Sequence, residues 1–290
     1  MRSLRVIRVK RFLLLISTFS LALAAGPELE KAQKLYHLTD FESSLRVLNA
    51  IQPKDALVNA WIGRNLYMQG DYKKSSEALE RAAAQEPNNS DIALWTGRAF
   101  GRRAETSSVF TQMSYASKAR TYFEKAVALN PRNLEAMADL FEYYLEAPGF
   151  LGGGFDKAQA LSAKIGQIDA AEGHFTQARL AEKQKQFHGT EDHLRRAVEA
   201  APQQVGRLID LARFLSKQGR VQESDQNLAK AEKISPNDPK LLYAKADLYI
   251  KQNRNLDVAK SLLKRYLSST LTPDDPPRAD AEKLLKQLGG

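Results

Sequence analysis

A proline-closed phrase returns along this chain at a spacing close to 34 residues. It reads Ala126-Val-Ala-Leu-Asn-Pro131, Ala197-Val-Glu-Ala-Ala-Pro202 and Ala231-Glu-Lys-Ile-Ser-Pro236, and Pro87 closes another copy behind Ala82. A fixed period of this length specifies a solenoid of repeated helical pairs rather than a closed globule around one pocket. It moves the expected function from catalysis towards binding.

Within each copy the second helix is the easier to read. In the third it carries Ala116, Ala119, Tyr122, Phe123, Ala126 and Val127 at three- and four-residue spacing, one apolar face of a helix. Asn130-Pro131 then stops it, because proline lacks the N–H that a continuing helix needs. The first helix of each pair carries a small residue where two helices must approach: Gly63, Gly97, Ala178, Ala212 and Ala246. Glycine turns follow at Gly70-Asp71-Tyr72 and Gly219-Arg220-Val221.

Small residue, turn glycine, aromatic, alanine, large apolar, alanine and closing proline together resemble the tetratricopeptide repeat. The resemblance implies an all-α, right-handed α-solenoid of stacked antiparallel helix pairs covering essentially the whole chain after its N-terminus. Seven copies are expected, at about 28–54, 56–89, 90–133, 134–170, 171–204, 205–238 and 239–272. The Pro273-Asp-Asp-Pro-Pro277 stretch breaks the pattern, and 278–288 reads as a capping helix with Ala281, Leu284, Leu285 and Leu288 on one face. Two copies are enlarged. Pro87 to Pro131 is ten residues over period, with the excess placed as a loop near 104–114, and copy four holds Ala147-Pro-Gly-Phe-Leu-Gly-Gly-Gly-Phe-Asp-Lys157 between its helices. Insertions in repeat proteins often carry specificity. Together with Gly-Arg-Arg-Ala at 101–104, this loop is similar, more loosely, to a subset of exported bacterial tetratricopeptide proteins.

The net charge of +9 is concentrated at the start of the chain. Arg2, Arg5, Arg8, Lys10 and Arg11 precede an apolar run from Phe12 to Ala25, which contains the small–any–small phrase Ala22-Leu23-Ala24. This reads as a cleavable export signal over 1–25, cut near Ala24 or Ala25, which expects a periplasmic or secreted protein; an uncleaved anchor in the inner membrane is the rival reading. Residues 26–290 form the repeat domain, with 38 basic and 34 acidic side chains, a net of +4. That is too mild for a nucleic-acid partner, which needs a clustered basic face. A second membrane span is not expected. With no cysteine, disulfides, thiolate metal sites and cysteine nucleophiles are excluded.

Stacking the repeats aligns Arg64, Arg98, Arg179 and Arg213, each just after the small residue of a first helix. In tetratricopeptide proteins the first helices line the concave groove, so the resemblance implies a row of guanidinium forks there, suited to carboxylates. The expected partner is then a protein or peptide segment, acidic or C-terminal. Inter-repeat ion pairing, for instance of Arg98 or Arg179 with Glu142, is the alternative. Trp61 and Trp95 each precede one of these arginines by three residues, the spacing of one helix face. They are either cation–π anchors or helix–helix core. Tyr67 and Lys217 complete the groove candidates, and Phe150, Leu151 and Phe155 are candidate loop contacts. A phosphate-binding loop needs lysine and serine or threonine directly after its last glycine, and here Phe155-Asp156 follows instead. His188 and His193 match no zinc spacing. No catalytic arrangement, metal or cofactor is expected. A scaffold or adaptor of the envelope is the first reading, and a self-associating architectural solenoid the second.

Overall fold

The computed structural model describes residues 26–289; the export-signal reading of 1–25 lies outside them. Among the described residues there are fifteen α-helices and no strand. The first two hairpins are α1 (Pro27–His37) with α2 (Phe41–Ala50) and α3 (Ala56–Met68) with α4 (Tyr72–Gln85). The next two are α5 (Ser90–Thr106) with α6 (Val109–Leu129) and α7 (Leu134–Glu146) with α8 (Phe155–Ile168). Then come α9 (Ala170–Lys183) with α10 (Phe187–Ala200), α11 (Val205–Lys217) with α12 (Val221–Ile234), and α13 (Pro239–Lys251) with α14 (Leu256–Ser268). A single helix, α15 (Arg278–Gln287), ends the stack. Each helix packs on its sequence neighbours, and first helices also meet those of the next repeat, α3 on α5, α5 on α7 and α7 on α9. The chain is an all-α solenoid. No described helix is long and apolar enough to cross a membrane.

Local chemistry sets these boundaries. An Asp or Asn caps the N-terminus of seven helices: Asp40, Asp55, Asp71, Asn89, Asn133, Asp169 and Asp238 each accept a backbone N–H with the side chain. Such a cap contributes about 1 kcal/mol over alanine. The turn inside the hairpin needs one residue in the left-handed region. Gly70 takes it at φ 80°, which lets the Asp71 N–H reach the Leu66 carbonyl at 2.9 Å. Inside each hairpin, small meets large. A Cβ at Gly63 would lie 2.4 Å from Leu79 Cγ, and one at Gly97 2.6 Å from Phe123 Cδ1. Buried serines add a bond the sequence pattern did not show: Ser44, Ser75 and Ser224 donate to the carbonyls of Ala32, Gly63 and Ala212, each at 2.8 Å.

The third hairpin corrects an expectation. Its ten extra residues do not form a loop near 104–114; they lengthen both helices, leaving only Ser107 and Ser108 between α5 and α6. The reason is packing. Ala104 is buried, Phe100 stacks on Tyr115 at 6.0 Å, and Arg103 donates to Ser76 Oγ at 2.9 Å and Tyr115 Oη at 2.6 Å. The insertion in the fourth hairpin does form a loop, with one 3-10 turn at Gly149–Leu151. It is held down: the Leu151 carbonyl accepts from Arg120 Nη1 and from the Tyr143 hydroxyl, both at 2.9 Å. A Cβ at Gly153 would meet the Ala147 carbonyl oxygen at 1.9 Å, so the backbones touch only because that residue is glycine.

At the far end α15 and the Leu288 that follows it lay Ala281, Leu284, Leu285 and Leu288 on the core of the last hairpin, with Leu263 and Tyr266. The Tyr266 hydroxyl donates to the Pro276 carbonyl, which fixes the segment between α14 and α15 on the body of the protein.

Candidate functional site

The first helices of the second and third hairpins build an alternating stack. Arg64 lies 4.6 Å from the Trp61 ring centroid and 4.9 Å from that of Trp95. Arg98 follows, 4.9 Å from Trp95. Tyr36 meets Trp61 edge-on at 5.1 Å, and Tyr67 meets Trp95 edge-on at 5.6 Å. The 34-residue period makes this ladder, because equivalent residues of adjacent repeats stand side by side. Each guanidinium so held gains about 0.5–2 kcal/mol from the ring faces. Trp61 is 9% exposed and belongs to the core of the first hairpins, and it also presents a face to Arg64.

The arginine forks are occupied by carboxylates, those of Arg64 and Arg98 by acids of the next repeat and that of Arg179 by acids of the preceding repeat and of its own helix. Arg64 pairs with Asp91. Arg98 Nε donates to Asp139 Oδ2 at 2.5 Å, with Glu135 at 3.6 Å. Arg179 grips both oxygens of Glu142 at 3.0 Å and reaches Glu182 at 3.1 Å. The expected Arg179–Glu142 pair therefore forms, while Arg98 takes Asp139 instead. Arg213 lines a small cleft with Phe175, Asp210 and Lys217, and Lys217 bonds Glu182 at 3.2 Å.

The electrostatics follow burial. Desolvation pulls the Arg64 pKa down to about 10, so it stays charged near neutrality. Burial also opposes the charge on Arg98, but Asp139 and Glu135 outweigh it and its pKa rises. The Glu142 hydrogen bonds raise that of Arg179. Burial pushes the Asp210 carboxyl up, against the pull of Arg207 and Arg213.

Two hollows open along this face. One, of about 610 Å³, runs from Tyr67 and Arg98 to Glu146, Pro148 and Leu151, so the fourth-hairpin loop forms its wall. Of the loop candidates, Phe150 is 78% exposed, Leu151 is pinned by its carbonyl, and Phe155 packs on the core. The other, of about 590 Å³, lies over the Trp61–Arg64–Trp95–Arg98 ladder and is faced by Thr272, Pro273, Asp274, Asp275 and Pro277. The end of the solenoid thus returns to its beginning. Nothing in the sequence pattern indicated this.

With the stack and its geometry in place, comparison with known proteins becomes decisive for the fold. Residues 62–103 match the tetratricopeptide repeat family. A thermophilic tetratricopeptide protein of Thermus thermophilus aligns at 19% identity and a TM-score of 0.55, over 66% of this chain and 99% of its own. A tetratricopeptide repeat protein from Parabacteroides merdae aligns at 15% identity and a TM-score of 0.57, over 91% and 98%. These likenesses support a tetratricopeptide repeat protein. No curated protein matches the chain.

Sequence reasoning found the arginines and tryptophans of the helical stack by their period, but missed Asp91, Glu135 and Asp139. Their signal was available: each is an acid in a first helix one repeat beyond the arginine it meets. His188 and His193 do not group. His193 instead meets His174, with Nδ1 atoms 3.3 Å apart. Among the described residues no set of three or more His, Cys, Asp or Glu could hold a metal ion.

Proposed function

We propose that this protein is a non-catalytic scaffold that binds a segment of a partner protein along the face built by its first helices. The observation that carries the reading is the ladder of aromatic and arginine side chains under two open hollows of about 600 Å³ each. Aromatic and arginine side chains dominate binding hot spots, and helical grooves of this kind take extended or helical segments. The export expectation joins the proposal: Ala22-Leu23-Ala24 behind an apolar run supports a role in the bacterial envelope.

The partner need not be acidic. That expectation required open guanidinium forks, and those of Arg64, Arg98 and Arg179 are taken by carboxylates.

The test is a crosslinking pull-down from envelope extract with paired variants. Arg213→Glu with Lys217→Glu alters the inner face, and Lys230→Glu on α12 alters an exposed position of a second helix. Loss of a captured protein with the first and not the second is expected; equal capture by both would sink the groove reading. A second reading, self-association, is favoured by Phe110 at 93% and Phe150 at 78% exposure on the enlarged repeats. A monomer in sedimentation at working concentration would dispose of it.

A further inference from the structure

The hollow over the ladder has three properties that together describe its ligand. Its floor is aromatic, with Tyr36, Trp61, Tyr67 and Trp95. Its cations are already neutralised, Arg64 by Asp91 and Arg98 by Asp139 and Glu135. Its far wall is the Asp274–Asp275 pair, and among the described residues neither carboxylate is ion-paired within 4.0 Å. The uncompensated charge of the site is therefore negative, although an arginine row lines it.

Two residues of its lining carry unpartnered polar atoms beneath its surface. The Tyr36 hydroxyl and the Arg64 Nε–H are buried, with no hydrogen-bond partner among the described residues. Tyr36 is 3% exposed, and burial lifts its pKa to about 12, so the phenol keeps its proton. A buried polar group without a partner is unfavourable.

We infer that this hollow seats a lysine- or arginine-bearing segment of a partner protein, held between the aromatic floor and the Asp274–Asp275 wall. Its stem lies along the rings, and its cationic head meets the carboxylates. A volume of about 590 Å³ lies in the range of compact ligand sites. The wall is preorganised. Pro273, Pro276 and Pro277 restrict its backbone, the Thr272 N–H and hydroxyl donate to Asp275 at 2.8 and 2.9 Å, and Tyr266 holds the Pro276 carbonyl. Little ordering entropy is then lost on binding. This inference rests on the proposed scaffold reading and names the partner chemistry at one part of its face.

The chain carries its own reporter, since its two tryptophans both line the hollow. The full chain is titrated with a capped Ala-Lys-Ala-Arg-Ala-Lys-Ala peptide and with a matched peptide bearing glutamate at the three charged positions. Tryptophan emission is followed at low and moderate salt. A saturable change with the basic peptide alone, weakened about tenfold or more by Asp274→Asn with Asp275→Asn, is expected. Circular dichroism checks that this variant stays folded. An equal response to both peptides, preference for the acidic one, no saturation at millimolar peptide, or indifference to the Asp substitutions overturns the inference. If the basic peptide fails while the pull-down still distinguishes the inner face, only the site chemistry falls; if both fail, the scaffold reading falls with it.

Discussion

Single side chains in this protein are judged by the backbone and charge they must satisfy. The hairpin turn demands a left-handed residue, and Lys185 adopts it at φ 58° where Gly70 and Gly219 stand in other repeats. A side chain there costs roughly 1–2 kcal/mol, partly offset by the greater unfolded-state freedom of glycine. Lys185→Gly is therefore expected to raise stability by about 0.5–1 kcal/mol, read as a higher urea midpoint at unchanged slope. His193 argues a pH effect. Its burial, then its neighbour His174, lower its pKa below the usual 6.5, against the weaker pull of Asp192. A depressed histidine binds its proton less readily folded than unfolded. Stability is thus lost as pH falls through about 6.5, where the 3.3 Å Nδ1 contact needs one neutral ring. His193→Asn should flatten the change in melting temperature between pH 7.5 and 5.5; an unchanged slope would contradict this account.

At the scale of helices, much was legible because the period repeats the same physics. The small residue, the large apolar one and the closing proline each have a fixed spatial job, and so Gly63 and Gly97 could be read from spacing as points of close approach, while their partners Leu79 and Phe123 came from the structure. The third hairpin was misread because excess length does not say whether it coils or extends a helix; the Arg103 and Tyr115 contacts that decide it join different helices. The junction of the fourth and fifth hairpins hid another contact. Gly166 of α8 and Gly173 of α9 touch, and a Cβ on Gly173 would sit 2.3 Å from the Gly166 Cα. Backbone cannot swing aside as a side chain can. Gly173→Ala is expected to destabilise by about 1–3 kcal/mol, as overpacking does, whereas Gly206→Ala, with open space at its Cβ, should not. Thermal melts of the two variants separate these cases. A neutral Gly173→Ala would mean that α8 and α9 slide apart freely.

Over the whole molecule, stability and site are coupled through curvature that no single repeat contains. Each repeat adds a small rotation to the last, and the sum brings Thr272–Pro277 over the ladder of the second and third hairpins. That is why Asp274 and Asp275 read in the sequence only as a chain break, while Arg64 and Trp95 read as site candidates. Removing residues 270–290 tests both consequences. It strips Ala281, Leu284, Leu285 and Leu288 from the last core, exposing Leu263 and Tyr266. Because repeats contact only their neighbours, the damage should stay local: amide exchange should quicken in α13 and α14 and remain slow in α3 to α6. Trp61 and Trp95 lie in those protected helices, far from the cut in sequence. Their acrylamide quenching should nevertheless rise, because the wall over their hollow is gone. Unchanged quenching with local fraying would mean that the two ends do not meet in solution. Loss of protection throughout would mean that the stack folds as one cooperative unit and not as a chain of neighbours.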